Sequence, residues 1–295
     1  MLLEPISFAY AAVTRKGLPA LVLPLPSLGA GVVGRRASGC ELLAHPNLCF
    51  EHERRAWTSP AAVLVCTDLE LLDAFSILAG DVLRRAASHG TDWARVLLLV
   101  EEWQTLLARR GRPSSEAEIG LWGELWFLEH SNDVNRAIAS WRGPEKDAAD
   151  FFADGVSVEV KASRNRRQHF VSLSQVDAPS GRHDAWLLSL WLKPDPDSHE
   201  TVASLVERLL ERCDEPRELL GCLRRAGYSH ADRAAYCTGY TLLDEPEWYA
   251  AADVPRVRAV DVGISHLRYL VTLDEARRAE HTVVERLRRH FWGHE

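Results

Sequence analysis

Two carboxylates and one lysine lie close together in a short segment and could hold a metal ion and activate water. Asp150 precedes an apolar pair, and Glu159 and Lys161 follow after a short gap. Asp154-Gly155 between two apolar runs predicts a two-residue type I′ turn, because both central positions of that turn need positive φ. If this turn closes a β-hairpin, Asp150 lies directly opposite Glu159.

Alternation along the second predicted strand places Ser157, Glu159 and Lys161 on one face and three valines on the other. We expect the valine face to enter the core and the polar face to stay outside it. Directly opposed like charges destabilise a sheet, so a cation should lie between Asp150 and Glu159. A divalent metal such as Mg²⁺ fits, since it prefers carboxylates, carbonyl oxygens and water. Lys161 could then orient a water molecule or stabilise charge that develops on a phosphate.

A helix is predicted upstream, with Ser115 as N-cap and Glu118 three residues later, as in a capping box. Glu116, Gly120 and Glu124 follow at spacings of four and share one face, while leucines form another. The helix contains two glycines, each of which costs about 1 kcal/mol relative to alanine. Their presence indicates close packing or the close approach of a ligand.

Asp150 followed by Glu159-Val160-Lys161 resembles the PD-(D/E)XK nuclease signature, although Ala149 stands where the signature has proline. The surroundings resemble the uncharacterised PD-(D/E)XK family members of bacterial anti-phage defence islands. The residues that carry this wider resemblance are Glu116-x-x-x-Gly120-Leu121-x-Gly123-Glu124-Leu125, Trp141-x-Gly143-Pro144, Asp150-Phe151, Gly155 and Glu159-Val160-Lys161-Ala162-Ser163.

The resemblance implies a metal-dependent enzyme that hydrolyses DNA phosphodiester bonds, an endodeoxyribonuclease that uses Mg²⁺ or alternatively Mn²⁺. It implies a helix-borne acidic residue, for which Glu124 is the match. The implied catalytic residues are Asp150, Glu159, Lys161 and Glu124. The implied metal ligands are Asp150, Glu159, Glu124 and the Val160 carbonyl.

The stretch over residues 161–169 is the most basic of the chain and adjoins the predicted metal site, so we expect it to bind the DNA backbone. Phosphate contacts come from arginine, lysine and small polar groups. The alternative is that this loop is simply solvated. The resemblance also places a substrate-contacting polar group at the end of the next strand. The predicted DNA-binding residues are Ser163, Arg164, Arg166, Arg167 and Gln175.

The chain has 295 residues and a net charge of −7, so any nucleic-acid surface must be local. The six cysteines show no zinc or disulfide spacing, which indicates small buried thiols in a reducing cytoplasm. No apolar run reaches the length of a membrane span, so we expect a cytoplasmic protein. The acidic balance favours other defence-system subunits or a homodimer as partners.

We expect two domains within an α/β fold. The pattern over residues 1–110 predicts a smaller α+β domain. Strand-and-turn segments are followed by two predicted helices, which Asp68 and Thr91 would cap. Its Gly29-x-Gly31-x-x-Gly34 run matches a dinucleotide fingerprint only formally, because prolines precede it and no helix pattern follows. Residues 111–295 predict a restriction-endonuclease-like core, a mixed central sheet flanked by helices.

Later segments of the chain predict the remaining elements of this core. Strands are predicted at 170–174, 236–243, 257–262 and 267–273, with a buried central strand at 184–192. Helices are predicted after a Ser198 cap, at 218–226 and at 281–292.

Two rival functions stay open at this level. The first is a non-catalytic DNA-binding or scaffold subunit of a multi-protein defence complex. Joint retention of Asp150, Glu159 and Lys161 argues against it, because a degenerate site has no reason to keep opposed carboxylates. The second is a metal-dependent phosphodiesterase that acts on nucleotides, which would have no need for the basic loop.

Overall fold

The computed structural model of the chain describes residues 9–29, 32, 34–37, 39–52, 55–106, 113–145, 147–176, 184–257 and 267–293. It is a mixed α/β structure, as the sequence predicts. The chain divides into two compact units, residues 1–110 with 229–231, and residues 111–228 with 232–295. Within the described ranges, no helix combines the length and apolarity needed to cross a membrane.

The described residues of the first unit form a five-stranded antiparallel sheet, in the order β1-β2-β5-β4-β3, and two helices. The apolar residues 20–23 of β2 and 61–66 of β5 are almost completely buried, which makes this sheet the core of the unit. Its elements are β1 (Tyr10–Val13), β2 (Pro19–Pro24), β3 (Arg35–Ala37), β4 (Cys40–His52), β5 (Arg55–Cys66), α1 (Leu72–His89) and α2 (Trp93–Leu106).

The helix caps of this unit follow the sequence in part. The carboxylate of Asp68 accepts the backbone N–H of Glu70 and opens a short 3₁₀ turn before α1, as predicted. The predicted cap Thr91 is wrong for α2, because Asp92 accepts the N–H of Arg95 at 2.9 Å. Gly34 leads into a strand rather than a helix, which removes the dinucleotide interpretation, and Gly31 lies outside the described residues.

All six cysteines are free thiols, in agreement with the absence of a disulfide framework. Cys40 and Cys66 are buried, as expected of small apolar side chains. Cys49 and Cys237 are exposed, so the expectation of a uniformly buried set is wrong for these two.

The second unit carries a mixed sheet in the order β10-β9-β7-β6, with β11 also paired to β9. Strands β7 and β9 are parallel, and the other pairs are antiparallel. Strands β8 and β12 form a separate antiparallel ribbon. The elements of the unit are α3 (Ser115–Glu129), α4 (Val134–Ser140), β6 (Phe151–Ala153), β7 (Val156–Ser163), β8 (Gln168–Ser172), α5 (Leu173–Val176), β9 (Asp184–Pro194), α6 (Val202–Arg212), α7 (Pro216–Arg225), β10 (Tyr240–Leu242), β11 (Glu247–Ala250), β12 (Arg268–Thr272) and α8 (His281–Trp292).

The predicted hairpin forms between β6 and β7. Asp154 and Gly155 have φ of 47° and 85°, as a type I′ turn requires. Phe151 pairs with Val158, which confirms the register expected from a two-residue turn. This register places the residue before β6 beside the middle of β7.

Several boundaries differ from the sequence prediction by a few residues. Ser114, rather than Ser115, caps α3, and its hydroxyl accepts the N–H of Ala117 at 3.2 Å. Thr201, rather than Ser198, caps α6 in a reciprocal capping box with Ser204. The predicted strand 170–174 ends at 172, where α5 begins, and 236–243 shortens to β10. Of the predicted strand 257–262, residues 258–262 lie outside the described residues.

The two glycines of α3 have different surroundings. A Cβ added to Gly123 would lie 2.9 Å from the Cβ of Ala162 and 3.4 Å from Cγ1 of Val160 on β7. Gly123 therefore allows α3 to pack closely against the strand that carries Glu159. A Cβ added to Gly120 would meet no atom within 4 Å.

We expect the two Gly→Ala substitutions to have opposite effects on stability. Gly120→Ala should raise the free energy of unfolding by about 0.5–1 kcal/mol, because alanine is the better helix former and the space is open. Gly123→Ala should lower it by about 1–3 kcal/mol, because the new methyl group overpacks the helix against β7.

Urea denaturation of both variants, followed by circular dichroism, measures these changes. Each variant is the control for the other, since both make the same chemical change in one helix. Equal stabilisation by both would contradict the close packing of α3 on β7.

Candidate active site

A single cleft in the second unit brings together most of the site residues that the sequence predicts. Its volume is about 640 Å³. Helix α3, strand β7, the loop after it, the β8–β12 ribbon and α5 form its walls. The predicted residues that line it are Glu124, Asp150, Glu159, Val160, Lys161, Ser163, Arg164 and Gln175.

Glu159 is the most deeply placed acidic side chain of this cleft and is only 4% exposed. Its Oε1 lies 2.7 Å from Lys161 Nζ and accepts a hydrogen bond from Gln175 Nε2 at 2.5 Å. The expectation that the polar face of β7 stays outside the core is therefore wrong at this position. The strand is covered on both faces, so Glu159 depends on Lys161 and Gln175 for compensation.

Asp150 is fixed by both its backbone and its side chain. Its carbonyl oxygen accepts the N–H groups of Arg142 and Gly143 at 2.6 and 3.0 Å. Its Oδ2 accepts the N–H of Val160 at 2.8 Å. The hairpin register supplies this last bond, because it places Asp150 beside the middle of β7.

Glu124 reaches the same cleft from α3. Its Oε2 accepts a hydrogen bond from Trp141 Nε1 at 2.7 Å. A Cβ added to Gly143 would collide with this same carboxylate oxygen, so a larger residue there would displace the Glu124 carboxylate. The Trp141-x-Gly143 motif therefore positions Glu124, a role that the sequence does not reveal because donor and acceptor lie on different elements.

The negative charge of Asp150 disfavours the ionised forms of both glutamates of the cleft. Burial, and then the negative charge of Asp150, raise the pKa of Glu159 to about 8. Burial and then the charge of Asp150 also raise the pKa of Glu124 well above its ordinary value. Burial raises the pKa of Asp150 to about 6 against the opposing charge of Lys161. Burial is the largest cause of all three shifts, and a cation bound among the carboxylates would favour their ionised forms.

The donor set fits a hard divalent cation. Asp150 and Glu159 each use one carboxylate oxygen in contacts with the described residues, which leaves a second oxygen of each for another ligand. Within those residues, no three His, Cys, Asp or Glu side chains converge as ligands of one metal ion. Mg²⁺ does not need three, since it usually binds one or two carboxylates and completes its coordination with water and substrate phosphate.

Gln175 lies in α5 and bridges the acidic and basic groups of the site. Its Nε2 donates to Glu159, and its Oε1 accepts the N–H of Ser172 at 2.9 Å and lies 3.4 Å from Lys161 Nζ. These contacts favour a positioning role over the predicted contact with DNA. The resemblance pointed to this residue, but its partners depend on a helical turn that the sequence does not predict.

The predicted DNA-binding residues of the basic loop have different surroundings. The Ser163 hydroxyl accepts the N–H of Asn165 at 3.0 Å. Arg164 donates to the hydroxyl of Ser115, and Arg166 forms an ion pair with Asp244 at 2.7 Å. Arg164 and Arg166 keep substantial exposure, so their contact with DNA stays a prediction.

Arg167 is held inside the unit rather than presented to a ligand. Its side chain is 12% exposed and donates two hydrogen bonds of 2.7 Å to Glu247, with Asp274 at 3.2 Å. These bonds raise the pKa of the guanidinium further. We infer a structural role for Arg167 in place of the predicted DNA contact.

Arg167→Met should therefore destabilise the second unit while leaving DNA affinity nearly unchanged. Loss of the guanidinium removes two hydrogen bonds from the largely buried Glu247 carboxylate, which keeps the Tyr249 hydroxyl at 2.6 Å and Arg278 at 3.2 Å, so the cost is about 1–3 kcal/mol. Thermal denaturation and DNA binding of Arg167→Met, with the more exposed Arg166→Met as control, measure both effects. A normal melting temperature together with weakened DNA binding would contradict the structural role.

Several residues of the cleft were not predicted as functional. His169 is buried, with Nε2 2.8 Å from Ser189 Oγ, and burial lowers its pKa to about 4, aided by the charge of Lys161. Phe170, Arg268 and Leu270 line the opening of the cleft. Their sequence signal was only strand alternation, which does not indicate which face meets a ligand.

The family comparison agrees with this geometry. A family model described as "Putative PD-(D/E)XK family member (DUF4420)" matches residues 35–274, and the chain therefore belongs to this family. The mixed sheet and flanking helices are compatible with a PD-(D/E)XK-like core, and the family is nuclease-like. No curated protein and no solved structure matches the chain.

Proposed function

We propose that the chain is a metal-dependent nuclease that hydrolyses phosphodiester bonds of DNA in a bacterial anti-phage defence or restriction system. The observation that carries this proposal is the convergence of Asp150, Glu159 and Lys161 in one cleft, where buried carboxylates repel one another. Family membership supports the nuclease class. The defence setting rests on the motif resemblance alone.

Asp150 and Glu159, with the Val160 carbonyl, would hold Mg²⁺ or Mn²⁺, and Glu124 would add negative charge nearby. The ion, when bound, supplies a Lewis acid for the phosphate and lowers the pKa of a water molecule. Hydrogen bonds from Val160 N–H and Gln175 fix the orientation of the two carboxylates before any substrate arrives.

The ammonium of Lys161 can act directly on the reacting atoms. Its side chain is 19% exposed and is held at 2.7 Å from Glu159 Oε1, so it stays in the cleft. From this position it can donate a hydrogen bond to a water nucleophile or to a non-bridging phosphate oxygen as charge develops there. Gln175 limits the freedom of this ammonium through its own contact with it.

Incubation of the purified chain with plasmid and linear DNA tests the proposal. We expect cleavage with Mg²⁺ or Mn²⁺, none with EDTA, and none with the isosteric variant Glu159→Gln. The exposed Glu245→Gln is the matched control and should cleave normally. DNA binding without cleavage under all metal conditions would contradict the nuclease proposal and favour a non-catalytic subunit of a defence complex.

A further inference from the structure

The β8–β12 ribbon beside the candidate active site has one buried face and one exposed face. In the antiparallel register Phe170 pairs with Leu270, and Val171 and Val271 point the other way into the core. Phe170 and Leu270 are 52% and 54% exposed. The outward face of this ribbon therefore presents two large apolar side chains next to each other.

The apolar pair lies at the candidate active-site cleft. Phe170 and Leu270 line the same cavity as Glu159 and Lys161. Large apolar side chains that are exposed singly need no explanation, but a cross-strand pair at the opening of a polar cleft is typical of a ligand contact.

Arg268 adds a cation to this pair. Its guanidinium lies 5.1 Å from the ring centroid of Phe170, and Arg268 is one of the residues that line the cleft. Within the described residues Arg268 makes no ion pair with a carboxylate, whereas Arg166 and Arg167 are both paired. The N–H groups of the Arg268 guanidinium are therefore available to a phosphate while the plane of the guanidinium stays near the Phe170 ring.

We propose that Phe170, Leu270 and Arg268 form a stacking platform for an unpaired nucleobase, which makes DNA with unpaired bases at the cleavage point the substrate class of this site. This inference rests on the proposed function. An exposed aromatic ring beside an unpaired arginine is the combination with which proteins bind single strands, because every base offers a π-face.

The charge distribution favours unpaired DNA over an intact duplex. Duplex affinity comes largely from many phosphate contacts on an extended basic surface. Here Arg166 and Arg167 are already paired with acidic groups, and the chain carries a net charge of −7. Stacking supplies affinity that does not depend on such a surface.

Binding of fluorescently labelled oligonucleotides in EDTA, which prevents cleavage, tests the platform. One sequence is used as a single strand and as a blunt duplex, and an aminopurine base in the single strand reports stacking through quenching of its fluorescence. We expect tighter binding of the single strand, and Phe170→Ala should weaken it about 5- to 150-fold and abolish quenching. Phe170→Trp should keep both.

The exposed Leu243→Ala, which removes an apolar side chain outside the cleft, is the matched control and should bind like the wild type. Unchanged single-strand binding by Phe170→Ala, or equal wild-type affinity for duplex and single strand, would overturn the inference and leave the nuclease proposal intact. Absence of binding to either DNA would also overturn it. Phe170-dependent binding by a chain that never cleaves DNA would support the platform and overturn the nuclease proposal.

Discussion

Lys161→Ala is expected to reduce the rate of DNA cleavage by about 10²- to 10⁴-fold, the range that one positioned catalytic group contributes. The variant removes the only ammonium that the described residues place against Glu159. Without it, the buried carboxylates lose their compensating charge and the cleft loses its donor to water or phosphate. Single-turnover cleavage of a labelled oligonucleotide measures the loss.

Two further lysine variants separate chemistry from structure. Lys193→Ala removes a 53% exposed ammonium from the neighbouring strand β9 and should change the rate less than about twofold, as expected for a surface ion pair. Lys161→Arg keeps the positive charge beside Glu159 but replaces the compact ammonium with a planar fork. Full activity of Lys161→Ala would exclude a catalytic role for this residue, and full activity of Lys161→Arg would reduce that role to charge compensation.

The hairpin that carries the candidate site could be predicted because its information is local. A two-residue turn fixes the register of the strands it joins, so Asp154-Gly155 was enough to place Asp150 beside β7. The helix face that bears Glu124 was predictable for the same reason, since helical spacing is local. Caps were predicted to within one to three residues, because neighbouring Ser, Thr and Asp side chains compete for the same role.

The rest of the site depends on contacts that sequence spacing does not encode. Trp141 and Glu124 meet only when α3 packs on the sheet, and Gln175 reaches Glu159 only because a helical turn replaces the predicted end of a strand. Alternation along β7 indicated an exposed Glu159, and burial followed from a ribbon that covers this face. The basic composition of the loop predicted a DNA contact for Arg167. The structure pairs Arg167 with Glu247, which lies far along the chain and which sequence spacing does not identify as its partner.

Mg²⁺ is expected to stabilise the second unit, and to stabilise it more at pH 8 than at pH 6. Without metal, the raised pKa of Glu159, about 8 against 4.5 for an ordinary glutamate, means that the folded state binds a proton that the unfolded state has lost. Stability from this group is therefore full below about pH 4.5 and decreases as the pH rises towards 8. A cation that binds the ionised carboxylates reverses this loss, because it competes with the proton.

Thermal denaturation with and without Mg²⁺ at several pH values measures this linkage. At a Mg²⁺ concentration about 100-fold above Kd the stabilisation is about 2.7 kcal/mol, which raises the melting temperature by about 5 °C or more. Glu159→Gln should remove the part of the pH dependence that Glu159 contributes and should weaken the Mg²⁺ effect, since its amide neither titrates nor binds the ion strongly. The raised pKa values of Asp150 and Glu124 keep the remainder of the pH dependence, and Glu245→Gln should leave both effects unchanged. A Mg²⁺ effect that is larger at pH 6 than at pH 8 would show that the ion binds elsewhere, because Glu159 takes up a proton over this range and its affinity for the ion must therefore fall with the pH.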